Sequence, residues 1–130
     1  MKQNLALIAL VVDDYDEGIH YYTSVLKFKL IEDTVMSETK RWVVIAPEGS
    51  NGTSLLLAKA STEEQKSRIG NQTGGRVFLF LHTDDIRRDY EFLKSQNVTF
   101  VREMTEESWG TVAVFADKYG NLWDLIQPKV

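Results

Sequence analysis

The feature that most constrains this chain is an internal repeat. Ile8-Ala9-Leu10-Val11-Val12-Asp13-Asp14 lies over Leu79-Phe80-Leu81-His82-Thr83-Asp84-Asp85, and the step from Asp14 to Asp85 sets the offset at 71 residues. Each run reads as an apolar strand closed by two aspartates. The repeat continues into a helix. Tyr15, Ile19, Tyr22 and Leu26 recur at spacings of 4, 3 and 4, one face of an α-helix, and Ile86, Tyr90, Leu93 and Asn97 occupy the same places one repeat later. Asp14 with Glu17 reads as a capping box, and Asp85 is the matching N-cap.

Three further strands follow in each half. They are expected over residues 27–31, 41–46 and 54–59, and over 99–102, 111–116 and 122–127, with a polar stretch before the middle strand and glycine-bearing turns over 47–52 and 117–121. The chain is therefore read as α+β, with two βαβββ modules over residues 1–60 and 76–130 forming one domain over 1–130. Residues 61–75 link them through a short helix, begun by Ser61-Thr62-Glu63-Glu64-Gln65, and a loop over 70–75. A sheet with helices on one face leaves the other face uncovered. Two such modules are expected to curve their uncovered faces as a mixed sheet around a shared cleft, where function should sit.

Composition narrows the function. The 130 residues include no cysteine, which removes disulfides, thiolate metal sites and a cysteine nucleophile, and which fits a reducing, cytoplasmic setting. The net charge of −4 and the lack of a basic stripe argue against nucleic acid. The longest N-terminal apolar run, from Leu5 to Val12, is too short to span a membrane or serve as a signal peptide, and it reads as a strand.

Two stretches carry a family resemblance. Val11-Val12-Asp13-Asp14-Tyr15-Asp16 followed by Tyr21-Tyr22-Thr23-Ser24-Val25-Leu26-Lys27-Phe28 resembles the opening of the vicinal-oxygen-chelate superfamily, a strand, a D-x-x-x start and then F-Y-x-x-x-L-G-F. Asp117-Lys118-Tyr119-Gly120-Asn121-Leu122-Trp123-Asp124-Leu125 is similar to its D-P-x-G-N-x-x-E-L ending. This is the glyoxalase, bleomycin-resistance protein and extradiol-dioxygenase group. The resemblance implies that metal-dependent members place ligands at positions matching Leu7, Leu56, Phe78 and Asp124. Leucine and phenylalanine cannot ligate a metal, and one carboxylate does not make a tight site. The resemblance thus implies the fold, while the residues argue for no metal and no other cofactor.

Strand alternation puts Leu7, Ala9, Val11, Leu56, Ala58, Phe78, Phe80, His82, Asp124 and Ile126 on the cleft face. The opposite parity, which includes Leu10, Val12, Leu57, Trp123 and Leu125, should pack under the helices. Both sets are apolar, so the strands are expected to be buried on both faces. Asp124 stands out as a lone carboxylate in apolar company: it is either a ligand anchor or base, or a group satisfied by Arg41, a backbone amide or water. Arg41 would pair with Asp124 or an anionic ligand, or lie solvated at an edge. Trp42 and Trp109 are candidate platforms for a planar ligand, with core packing as the alternative. His82 reads as a surface or capping residue and His20 as a helix-flank residue. The acidic run at 13–17 reads as a helix start, since it lacks the spacing of a calcium loop.

The expected function is metal-free binding of a small molecule, as the resemblance to the bleomycin-resistance branch implies. Expected ligand-binding residues are Leu7, Ala9, Trp42, Leu56, Phe78, Phe80, Trp109 and Asp124, with no catalytic residue identified. That branch also implies a homodimer. The alternative is a glyoxalase- or dioxygenase-like enzyme with rearranged ligands drawn from Asp124, His82 and Glu103, Glu106 or Glu107. A third reading is an interaction module with a vestigial cleft.

Overall fold

The computed structural model describes residues Met1–Val130, which divide into two compact units, Met1–Ile69 and Gly70–Val130. The first holds β1 (Leu7–Val12), α1 (Tyr15–His20), β2 (Phe28–Val35), β3 (Arg41–Pro47), β4 (Ser54–Lys59) and α2 (Glu63–Ser67). The second holds β5 (Leu79–His82), α3 (Ile86–Ser95), β6 (Thr99–Glu107), β7 (Gly110–Ala116) and β8 (Leu122–Pro128). Each unit carries one four-stranded mixed sheet, in the orders β1-β4-β3-β2 and β5-β8-β7-β6. The first and last strands of each unit pair in parallel, and the remaining pairs are antiparallel. This is the α+β architecture expected from the repeat.

The aspartates that close the first strands act as helix caps. Asp14 accepts a hydrogen bond from the Glu17 N–H at 2.9 Å, and Asp85 accepts one from the Arg88 N–H at 3.1 Å. Each satisfies an amide that the first helical turn leaves without a partner. The first helix is not α-helical throughout. After His20 it widens into a π-turn over Tyr21–Val25, closed by a bond from the Leu26 N–H to the Tyr21 carbonyl at 3.3 Å. In the second unit Asn97 lies beyond α3, in the left-handed region at φ 63°, rather than on its face.

Strand alternation sorts the core as expected. Leu10, Val12, Leu57, Trp123 and Leu125 are all at most 2 % exposed, on the faces that the helices cover. Burying side chains of this size stabilises by about 1.5–3 kcal/mol each.

Two expectations need correction. The second strand of each module is longer than the sequence indicated, reaching Val35 and Glu107 in place of residue 31 and Arg102. Their charged residues look like loop, yet both are edge strands, where charge is tolerated and protects against further pairing. The faces opposite the helices are also only partly buried: Ile126, Val112, Val114 and Val44 are buried there, but the other expected cleft residues are not. Leu7, Val11, Leu56, Ala58, Phe78 and Asp124 are half-buried, Ala9 and His82 are exposed, and Phe80 is 64 % exposed. An apolar alternation on both faces does not by itself supply a second layer to cover them.

Candidate functional site

The register of the second sheet builds a row of four side chains across its open face. Phe80 on β5 is level with Asp124 on β8, Asp124 with Val114 on β7, and Val114 with Arg102 on β6. Paired residues point to the same side of a sheet. Asp124 therefore stands between an exposed aromatic ring and a buried valine. Burial pushes its carboxyl above the ordinary aspartate value, opposed by the Arg102 charge. One step along the strands, His82 is level with Ile126, Ile126 with Val112, and Val112 with Thr105.

Arg102 is already engaged. Its Nη2 donates to Glu107 Oε1 at 2.8 Å and to Thr105 Oγ1 at 3.0 Å. Sequence reasoning missed this residue by ending its strand there. The signal that could have found it is the repeat itself, since Arg102 matches Glu32 at an offset of 70 residues.

The first unit has its own cavity, of about 680 Å³, where β1 and β4 end and β3 begins. Its lining includes Val11, Trp42, Leu56 and Ala58 from the open face, Tyr15 from α1, and Lys40, Lys59 and Gln65. Arg41 also borders it, but its donors are committed. Nε and Nη2 donate to the two carboxylate oxygens of Asp33 at 3.1 and 2.7 Å, Nη1 donates to Asp16 at 2.9 Å, and the guanidinium lies 5.3 Å from the centre of the Tyr15 ring. The Asp33 carboxyl is held below its ordinary value, chiefly by the hydrogen bond from Arg41. Arg41 is thus neither a free anion receptor nor a lone solvated edge residue.

The expected site residues fall into groups. Trp42 and Leu56 meet at the first unit's cavity. Ala9 is level with Leu56, and Leu7 with Ser54 at the start of β1. Phe80 and Asp124 are direct neighbours, while Phe78 lies just before β5 with its N–H on the Leu122 carbonyl at 2.8 Å. Trp109 is not beside Asp124. It sits 51 % exposed at the tip of the β6–β7 hairpin, five residues before Val114, which is level with Asp124, or about 16 Å along the strand.

The residues do not fit the family's divalent ion. Leu7, Leu56 and Phe78 present carbon only, and no three His, Asp or Glu side chains gather anywhere in the chain. The rearranged set is also dispersed: Glu103 accepts from Tyr90 and Lys94 beside α3, and Glu107 is taken by Arg102.

The ending motif proves to be architectural. Asp117, 5 % exposed, accepts the N–H groups of Tyr119, Gly120 and Asn121 on Oδ1, at 2.9–3.0 Å. Its Oδ2 accepts Asn121 Nδ2 at 3.0 Å and Trp123 Nε1 at 3.1 Å. Gly70 lies so close to this turn that a Cβ there would fall 1.9 Å from the Tyr119 carbonyl oxygen. The motif fixes the turn that launches β8, and so sets which way Asp124 faces.

A two-unit α+β chain of this topology, with a carboxylate on the open face of its last strand, matches a known class. Residues 4–125 match the model of the Glyoxalase/Bleomycin resistance protein/Dioxygenase superfamily, and the chain belongs to that superfamily. It is 62% identical over 128 residues to an uncharacterized protein of Shewanella frigidimarina (strain NCIMB 400), covering 98% of this chain and 95% of that one. Among solved structures it is similar to UcmS2, with 29% identity and a TM-score of 0.84 over 97% of this chain and 98% of that one. It is also similar to TnmS3, an antibiotic binding protein from Streptomyces sp. CB03234, with 27% identity and a TM-score of 0.76 over 99% and 98% of the two chains.

Proposed function

We propose that this protein binds a small molecule non-covalently, in the manner of the bleomycin-resistance proteins, without the divalent ion of its enzymatic relatives and without another cofactor. The observation that carries the reading is the Phe80–Asp124 pair, a flat exposed ring beside a carboxylate that burial has pushed up in pKa. Such a pair suits a planar ligand that carries a cation or a hydrogen-bond donor. The ligand-binding set is Leu7, Ala9, Trp42, Leu56, Phe78, Phe80, Trp109 and Asp124. TnmS3, described as an antibiotic binding protein, supports the class of activity. The working protein is a homodimer in the cytoplasm, with both modules and their linker acting as one domain.

Calorimetry with 9-aminoacridine, cationic at neutral pH, and the neutral acridone tests the reading. Asp124→Asn removes the charge with little change of shape. It should weaken the cation about tenfold or more, as expected when a half-buried charged partner is lost, and spare acridone. Equal losses, or none, would make Asp124 structural. Stoichiometric zinc, iron, manganese or nickel in protein purified without chelator, lost on Asp124→Ala, would favour the enzyme instead. Light scattering should give about twice the 14.9 kDa chain mass.

A further inference from the structure

The second strand of the second unit is irregular in a way that gathers three side chains. Its register against β7 shifts twice, between Phe100 and Arg102 and again between Arg102 and Thr105. Regular alternation from Arg102 would bring Met104 and Glu106 to the open face. The second shift brings Thr105 and Glu107 there instead, level with Val112 and Gly110. Bulges of this kind re-aim side chains. The outcome is a fork of two acceptors, Thr105 Oγ1 and Glu107 Oε1, both holding Nη2 of Arg102.

Arg102 also belongs to the row that ends on Asp124 and Phe80. Only Val114 separates it from Asp124, so the two backbones are about 10 Å apart, within the joint reach of an extended arginine and an aspartate. The charged and titratable groups that share this face with Asp124 are Arg102 and Glu107 on β6 and His82 on β5; β7 offers only Val112, Val114 and Ala116. Arg102 is the one permanent cation among them.

The geometry points to Glu107 as a specificity-determining positioning residue: it draws Arg102 along β6, away from Asp124, and so keeps the Asp124 carboxylate open to a cationic ligand. The inference rests on the reading of Asp124 as ligand anchor. Without Glu107, Arg102 loses its only carboxylate partner, and Asp124 is the acceptor across the row. An ion pair there would occupy the anchor with the protein's own cation. Burial raises the Asp124 pKa, and the Arg102 charge opposes that rise from a distance with no hydrogen bond between them, as expected while Glu107 holds Arg102.

The test titrates the Asp124 carboxyl by carbon NMR, with no ligand present, in the wild type, Glu107→Gln, Arg102→Gln and the double variant. Glu107→Gln should move the Asp124 midpoint down, as Arg102 turns toward it. Arg102→Gln and the double variant should both place it at or above the wild-type value. A Glu107→Gln midpoint that stays at the wild-type value overturns the inference, whatever the protein does with a ligand. Calorimetry with 9-aminoacridine adds the functional readout: Glu107→Gln should bind it about tenfold more weakly, and the double variant should recover. No loss in Glu107→Gln, where the wild type binds, also overturns the inference. Failure of the wild type to bind the dye counts against the ligand reading, while the midpoints still decide the role of Glu107.

Discussion

The two units share a fold and differ in the chemistry of equivalent rows. In the first, Ala9, Leu56, Val44 and Glu32 lie level across the open face; in the second, Phe80, Asp124, Val114 and Arg102 take those places. Only the valine is kept. A small residue has become a ring, a leucine a carboxylate, and the charge at the end of the row has changed sign. Apart from Arg88, which pairs with Asp84 and Asp89 at the start of α3, the arginine-centred ion pairs of the strands fall on opposite sides of the two sheets. Arg41 joins Asp33 and Asp16 on the side covered by α1, whereas Arg102 joins Glu107 on the open side. Once duplicated, a βαβββ module can hold its shape through the helix-covered face while its open face diverges. The second unit's open row carries a ring and two charges, while the first unit's is apolar up to Glu32, with a cavity at one end of the sheet.

The turns before the last strands differ as sharply, and here the largest effect is expected. The turn before β8 is built on the buried carboxylate of Asp117, while the turn before β4 is exposed and held by a backbone bond from the Ser50 N–H to the Pro47 carbonyl at 3.1 Å, with Ser50 Oγ accepting only a long bond from the Gly52 N–H at 3.3 Å. Asp117→Ala would remove the carboxylate acceptor of the Tyr119 and Asn121 N–H groups, the Asn121 side-chain amide and the Trp123 indole N–H, while the Gly120 N–H keeps its bond to the Asp117 carbonyl. It should cost about 3–5 kcal/mol in urea denaturation, against about 0.5 kcal/mol or less for Ser50→Ala. Similar losses from the two changes would mean that the turns are equivalent after all.

A smaller and more diagnostic effect is the response to acid. The folded-state pKa of Asp124 is raised, so its contribution to stability is fully present below the ordinary value of 3.8 and is lost as pH rises through the raised value. Asp33 is the reverse. Its pKa is lowered, so its contribution is present above 3.8 and is lost as pH falls through the lowered value. The stability gap between wild type and Asp124→Asn should therefore shrink as pH rises from below 3.8, while the gap for Asp33→Asn should shrink as pH falls below it. Urea midpoints across that range for the three proteins give both gaps. Slopes of the same sign would break the contrast between a carboxylate held by a guanidinium and one pressed into an apolar face.

Much of this was legible in the sequence, for physical reasons that can be named. The repeat at offset 71 gave the module order, because equivalent strands need equivalent alternation. Leu10, Leu57, Trp123 and Leu125 were assigned to the helix-covered faces by parity alone. The Phe80–Asp124 neighbours were assigned to one face in the same way, although their level pairing needed the register. The length of β2 and β6 was not legible, since charged edge strands look like loops. Neither was the Arg102–Glu107 pair, because it depends on a double shift in β6 that no periodicity announces. Trp109 followed from its place before a strand, but a two-residue hairpin carried it out to the tip.

The smallest effect concerns the residues that end the two main helices. Lys27 and Asn97 both adopt the left-handed region, at φ 62° and 63°, and they are equivalent at an offset of 70. The position that Lys27 fills is glycine in the motif that the chain resembles. Left-handed backbone costs an ordinary side chain about 1–2 kcal/mol, because its Cβ crowds the following carbonyl oxygen. Asparagine tolerates the region far better. Glycine removes the crowding but adds freedom to the unfolded chain, which costs back about 0.5–1 kcal/mol. The net for Lys27→Gly is a gain of about 0.5–1 kcal/mol, after allowing for any contact its side chain gives up. Asn97→Gly should stay within about 0.5 kcal/mol of the wild type. Thermal and urea unfolding of the two variants make the comparison direct. Were Lys27→Gly to destabilise, its aliphatic and ammonium contacts would outweigh the strain, and the first unit would have found a compensation that the second did not need.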